Sequence, residues 1–234
     1  MSTTTTMTTT TPRENPRVSV NKLGQYLTAT PSLRKRIIHG QKHPVDPQYL
    51  RYPAAAQAIV EFLCEGRDEV ILRYHQRRLL NAMPESDFDA HRLALCAEAL
   101  QRCLVASEGL ASKAIASPAD AELPPLELSG VAISVRPEVL LRSVDAQGQM
   151  RSGLLKLYFS KHTPLDERAG QYIATVLHRY AEQRLEQRGP VDPRLVGVFD
   201  VFAGRLFLAP RAQQRRMNDV LLACEEIAAR WHVN

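Results

Sequence analysis

Residues 131–159 read VAISVRPEVLLRSVDAQGQMRSGLLKLYF, and the reading of this stretch decides the fold. Val131 to Val135, Val139 to Leu141 and Gly153 to Phe159 are short apolar runs of strand length, with Leu126-Glu127-Leu128 leading into the first past Gly130. Arg136-Pro137 bends the chain between the first two runs, and Asp145-Ala146-Gln147-Gly148 has the composition of a turn before the last. Three strands in meander are the simplest arrangement. The final strand is nearly all apolar, so the charge of Lys156 in its middle needs an explanation.

Helices flank this unit. On its carboxy side, Pro164, Asp166 and Glu167 open a helix whose stripe Ala169, Tyr172, Ile173, Val176, Leu177 and Tyr180 runs to about Gln187. Arg188-Gly189-Pro190 ends it. Leu195 to Phe199 and Arg205 to Leu208 then flank Ala203-Gly204 as a hairpin, and Met217, Val220, Leu221, Cys224, Ile227, Ala228 and Trp231 share one face of a last helix. On the amino side, Pro118 to Pro125 is an acidic connector. Before it, Ser86 and Asp89 have capping spacing for a helix from about 88 to 107. Pro53 to Ala82 carries two helices with a break at Gly66, and Val18 to Pro44 carries two shorter ones broken at Thr30-Pro31. Eight of the first eleven residues are threonine, which have nothing to bury. The expected organisation is a disordered tail over 1–17, a helical region over 18–110 and an α+β module over 111–234, with a small mixed sheet flanked by helices.

Composition removes several classes. The 234 residues carry 30 basic and 25 acidic side chains, a net charge of +5, with 44% hydrophobic residues, as in an ordinary globular chain. No apolar run approaches the roughly 20 residues a bilayer span requires, and the amino end lacks the features of a signal or transit peptide. No membrane association and a cytoplasmic location are therefore expected. Four cysteines, at 64, 96, 103 and 224, form no C-x-x-C pair and read as buried structural thiols. His39 and His43 are four apart, but Gly40 intervenes and Pro44 follows. Phosphate-binding glycine loops and a serine-hydrolase elbow are absent from the sequence.

The order of chemical groups is more specific. Pro137-Glu138 opens one strand and Lys156 lies 18 residues later in the next, between a helix carrying Glu98 and a helix beginning near Leu165. This order resembles the PD-(D/E)XK nuclease superfamily, and its RecB-like members in particular, over roughly residues 88–185. The resemblance implies that Glu138 is a metal ligand and Lys156 the phosphate or transition-state partner, with Mg²⁺ or Mn²⁺ polarising the scissile phosphate and lowering the pKa of its water. The chain departs from the pattern at Leu154, where the family's acid-x-Lys motif has a carboxylate. Glu98 and Asp200 are the candidates for a migrated acid. The opening SVNKLGQYLTATPSLRKRII resembles the first helix of RecB-like members, with Thr30-Pro31 in place of their Cys-Pro. Gln171 matches the first residue of their Gln-x-x-x-Tyr motif, and Thr175 stands where the tyrosine would be.

A second feature points to nucleic acid without catalysis. Arg34, Lys35, Arg36 and Lys42 crowd into one short segment, and phosphate-backbone affinity comes from counterion release by such residues. Arg73, Arg77 and Arg78 extend the basic character, and Tyr26, Tyr49, Tyr52 and Tyr74 are interleaved as possible stacking platforms. The expected function is a nucleic-acid-associated protein: a degenerate or metal-dependent nuclease-like subunit in DNA processing or phage defence, with a protein partner in a larger assembly. The alternative is a non-enzymatic adaptor that binds another protein through its helical region.

Overall fold

The computed structural model describes residues 11–44, 52–110, 114–119, 124–185 and 188–233. The chain begins with β1 (Arg17–Ser19), α1 (Val20–Thr28), α2 (Pro31–Lys42), α3 (Pro53–Cys64), α4 (Glu69–Asn81) and α5 (Asp87–Val105). It continues through β2 (Ile115–Pro118), β3 (Leu126–Leu128), β4 (Val131–Ser134), β5 (Val139–Val144), β6 (Met150–Tyr158), α6 (Glu167–Arg184), β7 (Val191–Asp200), β8 (Arg205–Leu208) and α7 (Gln214–Trp231). The threonine-rich stretch 1–10 and half of the acidic connector, 120–123, lie outside the described residues. The α+β class holds.

Local chemistry sets the boundaries. Ser19, Ser86 and Asp166 cap α1, α5 and α6 by accepting from the backbone N–H of Lys22, Asp89 and Ala169, which satisfies donors that the first helical turn leaves free. Pro31 ends one helix and starts the next, because the residue before a proline is pushed to extended backbone and Thr30 is extended. Asp145 closes the β5–β6 turn by accepting at Oδ1 from the N–H groups of Gln147 and Gln149, each at 2.9 Å.

Two sheets form, not one meander. The larger has the order β2-β5-β6-β7-β8 and is antiparallel except for the central β6–β7 pair, which runs parallel and is joined by α6. The smaller has the order β1-β4-β3. The expected meander is corrected at Val131 to Val135: this segment pairs with β1 and β3, and the strand beside β5 is β2, with Pro118 opposite Val139. The cause lies between β4 and β5. Arg136 has a left-handed backbone, φ +42°, and Pro137 offers no N–H to a ladder, so the chain leaves one sheet and enters the other.

Alternation divides the large sheet into two apolar faces. Val139, Leu155, Leu157, Phe199 and Val201 pack under α3, α4 and α5. Leu140, Leu154, Tyr158, Val196, Val198 and Phe207 pack against α1, α6, α7 and the small sheet. The helical segment read over 18–110 is thus shared between the faces, with α1 and α2 on the side of α6 and α7. Gly24 permits this: a Cβ there would lie 2.4 Å from Ile173 Cγ1, so only glycine lets α1 approach α6 this closely. The chain ends are tied on the same side, since Trp231 Nε1 donates to the Arg13 carbonyl at 3.1 Å and Lys42 Nζ to the Trp231 carbonyl at 3.0 Å. Among the described residues, no helix is long and apolar enough to cross a membrane.

Candidate phosphate-binding cleft

Lys156 falls on the α1–α6 face of β6, between Leu154 and Tyr158, and is 9% exposed. An ammonium in that setting needs a partner. Glu138 supplies it from the residue just before β5, whose N–H donates to the Leu155 carbonyl at 3.1 Å. Its Oε1 accepts from Lys156 Nζ and its Oε2 from the Leu157 N–H at 2.6 Å. The two residues read from sequence as metal ligand and phosphate partner are therefore brought together as an ion pair, with both carboxylate oxygens engaged.

The two other candidate acids lie elsewhere. Asp200 ends β7 opposite Tyr158 and is fully buried. Its Oδ2 accepts from the Leu165 N–H at 2.8 Å and its Oδ1 from the Ala203 N–H at 3.1 Å, so it ties the β6–α6 loop to the β7–β8 turn. Burial pushes its carboxyl above the usual range, against those backbone hydrogen bonds. Glu98 sits on α5, in the layer that covers the other face of the sheet, and pairs with Lys161 at 2.7 Å. Among the described residues no three His, Cys, Asp or Glu side chains gather where they could hold one ion. Glu138, Glu98 and Asp200 do not fit a Mg²⁺ or Mn²⁺ centre, because each carboxylate serves a different protein donor.

The basic run also divides. Arg34 Nη1 pairs with Glu226 at 2.9 Å, its Nε donates to the Tyr26 carbonyl at 3.2 Å, and its guanidinium lies over the Tyr26 ring, 5.0 Å from the centroid. Lys42 is spent on Trp231, as above. Lys35 faces a separate pocket shared with His39, His43 and Trp231. Arg36 is exposed and lines the same cleft as the Glu138–Lys156 pair.

Arg36 and that pair line one cleft of about 960 Å³ between α1, α2 and the segment joining β4 to β5. Among the described residues its cations are Arg13, Arg17, Lys22, Arg36, Arg136 and Lys156, and its one carboxylate is Glu138. Positive potential is focused by such walls. Four of these cations were not singled out by the sequence reading, because Arg13, Arg17, Lys22 and Arg136 are scattered and converge only through the β1–β4 pairing. The available signal was Arg136-Pro137 immediately before Glu138.

The interleaved tyrosines are not platforms here. Tyr26 is buried, Tyr52 stacks on Phe159 with centroids 5.1 Å apart, and Tyr74 is exposed on α4 under Arg78. None lines the cleft, and Tyr49 lies outside the described residues. All four cysteines are free; Cys103 and Cys224 are buried, with thiols pushed up to about 12 by burial, and Cys64 is half-buried. No protein-family model matches the chain, and no curated protein matches it in sequence.

Proposed function

We propose that the protein binds nucleic acid by its phosphate backbone in this cleft, through a PD-(D/E)XK-like core that holds the strand without cutting it. The observation that carries the reading is that five cations of the cleft, Arg13, Arg17, Lys22, Arg36 and Arg136, stand beside the Glu138–Lys156 ion pair with no carboxylate paired to them among the described residues. Backbone binding requires an unneutralised set of this kind and no base-stacking surface. The antiparallel β5–β6 pair, with Glu138 just before β5 and Lys156 on β6, the α6 connection and the parallel β7 support the core assignment. Leu154 in the acid position, and a Glu138 committed to Lys156 and Leu157, favour holding over hydrolysis. Such a module fits the strand-holding subunit of a DNA-processing or defence assembly.

Fluorescence anisotropy with single- and double-stranded DNA and RNA at two salt concentrations tests this. Binding should weaken steeply with salt and fall in Arg36→Ala and Lys22→Ala. Salt-insensitive or absent binding at low salt would remove the reading.

A second reading rests on α4, where Val70, Tyr74 and Leu80 are all more than half exposed and Met83 follows. These residues suit an adaptor face for a protein partner. Retention of a co-purifying protein by the wild type and its loss in Val70→Asp would favour that role.

A further inference from the structure

One end of the cleft holds more positive charge than backbone binding asks of it. Arg13, Arg17 and Arg136 converge there, close enough that the charges of Arg17 and Arg136 add to burial in depressing the Arg13 guanidinium. No ion pair neutralises any of the three among the described residues. Arg13 is built in: its Nη1 donates to the Gln41 carbonyl at 3.1 Å, its own N–H to the Lys42 carbonyl at 2.9 Å, and its carbonyl accepts from Trp231. Gln41 in turn accepts at Oε1 from the Ser19 N–H at 2.8 Å, which fixes the start of α1 against the same wall. The first turn of α1 contains no acid to oppose its positive end.

Arg136 adds a conformational argument. A non-glycine residue at φ +42° directly before a proline is held against two backbone preferences at once. Its side chain is nonetheless exposed into the cleft and makes no hydrogen bond or ion pair within the described residues. Strain of this kind persists where the surrounding structure imposes it, and it clusters at ligand sites.

Building on the proposed nucleic-acid reading, we infer that Arg13, Arg17 and Arg136 form a site for a phosphate dianion, the phosphomonoester at a strand terminus, and that the rest of the cleft takes the monoanionic phosphodiesters behind it. Three guanidiniums lining one cleft match two negative charges and several acceptor oxygens, which planar donors meet in bidentate fashion. An internal phosphodiester supplies one charge. The site selects strand ends over strand interiors.

The experiment uses the full chain and one oligonucleotide sequence in three forms: hydroxyl-ended, 5′-phosphorylated and 3′-phosphorylated. One phosphorylated form should bind about tenfold more tightly than the hydroxyl-ended strand, the scale of a charge-assisted contact. Arg136→Gly removes the charge while accepting φ +42°, so it should fold normally and bring that ratio close to one; Arg17→Gln should do the same. Equal binding of all three forms by the wild type overturns the end-selective site and leaves backbone binding standing. A parallel thermal-shift arm uses a nucleoside monophosphate, with chloride at matched ionic strength as the control. If no strand binds but the monophosphate raises the melting temperature in an Arg136-dependent way, the dianion site stands with a free phosphomonoester as its source, and the nucleic-acid reading falls. If neither strand nor monophosphate responds, both are overturned.

Discussion

Glu138, the residue just before β5, meets Lys156 of β6 at the end of the antiparallel β5–β6 ladder, on the face of the sheet that α1 and α6 cover, and the ammonium donates to one carboxylate oxygen while the Leu157 N–H holds the other. The side chains are 22% and 11% exposed, so solvent does little to replace either partner. Breaking such a pair costs more than deleting it whole, because the group left behind is buried without its counter-charge. Lys156→Met should destabilise the fold by about 2–3 kcal/mol, and Glu138→Gln by a similar amount. The double variant should recover part of the sum, giving a coupling energy of about 1–3 kcal/mol in urea denaturation. Strict additivity would mean that the two groups do not act as a pair.

Asp200 should behave as a structural carboxylate. Asparagine at 200 keeps one acceptor but turns the other atom into a donor facing a backbone N–H, either that of Leu165 or that of Ala203. Asp200→Asn should cost about 2 kcal/mol, the scale of one buried unsatisfied group. Because burial raises the carboxyl above its ordinary value, the folded state keeps a proton that the unfolded chain has released across that interval. Stability contributed by this group is therefore present below the ordinary carboxylate range and lost as pH rises through the interval. The asparagine variant should be flat there, which a pH series of denaturation midpoints reads directly.

His178 gives the opposite slope. Its Nε2 is buried without a hydrogen-bond partner among the described residues, its Nδ1 lies 3.7 Å from Glu182, and burial lowers its pKa from the ordinary 6.5. As pH falls below about 6.5, the unfolded chain takes up a proton that the folded state resists, so stability is full above that value and declines as pH drops through the depressed one. His178→Phe should flatten the decline. An unchanged acid slope in that variant would place the sensitivity elsewhere.

Most of this architecture is readable in the sequence where periodicity and caps agree. The helices at α3 to α7 follow from stripes bounded by Pro53, Ser86, Asp166 and Gly189, and β5 to β8 from apolar runs bounded by Asp145-Gly148 and Ala203-Gly204. Partnership between strands is a different kind of information. Leu126 to Leu128 and Val131 to Ser134 look like meander strands, and only the β1 pairing, set by Arg17 to Ser19 far away in the chain, shows that they form their own sheet. The same long-range pairing assembles the cleft. Glu138 and Lys156 were legible because one immediately precedes β5 and the other lies on the adjacent β6, whereas Arg13, Arg17 and Arg136 come together through contacts that no local window contains. Asp200 and Glu98 looked equally available as acids, since sequence does not show that backbone N–H groups and Lys161 already engage them.

Gly153 tests the packing of the parallel pair. A Cβ there would lie 2.3 Å from the Leu195 carbonyl oxygen, a backbone atom that cannot swing aside as a flexible side chain would. Gly153→Ala should destabilise the protein by at least about 2 kcal/mol through overpacking. Gly40→Ala is the control, because no atom of the described residues lies within 4 Å of a Cβ at that position and alanine favours the helix by about 1 kcal/mol. Equal effects at the two sites would contradict the close β6–β7 approach.

Arg34 and Arg36 are two residues apart and should fail in different assays. Arg34 links α2 to Glu226 on α7, donates to the Tyr26 carbonyl and covers the Tyr26 ring, so Arg34→Ala removes a half-buried contact and should lower stability by about 1 kcal/mol. It lies outside the cleft lining, and the salt dependence of nucleic-acid binding should not change. Arg36 is exposed and lines the cleft. Arg36→Ala should leave the denaturation midpoint within about 0.5 kcal/mol of wild type and reduce the slope of log affinity against log salt by about 1, the signature of one lost phosphate contact. If Arg34→Ala and Arg36→Ala reduced the slope equally, the binding surface would be the basic helix as a whole, and the cleft would lose its claim to the phosphates.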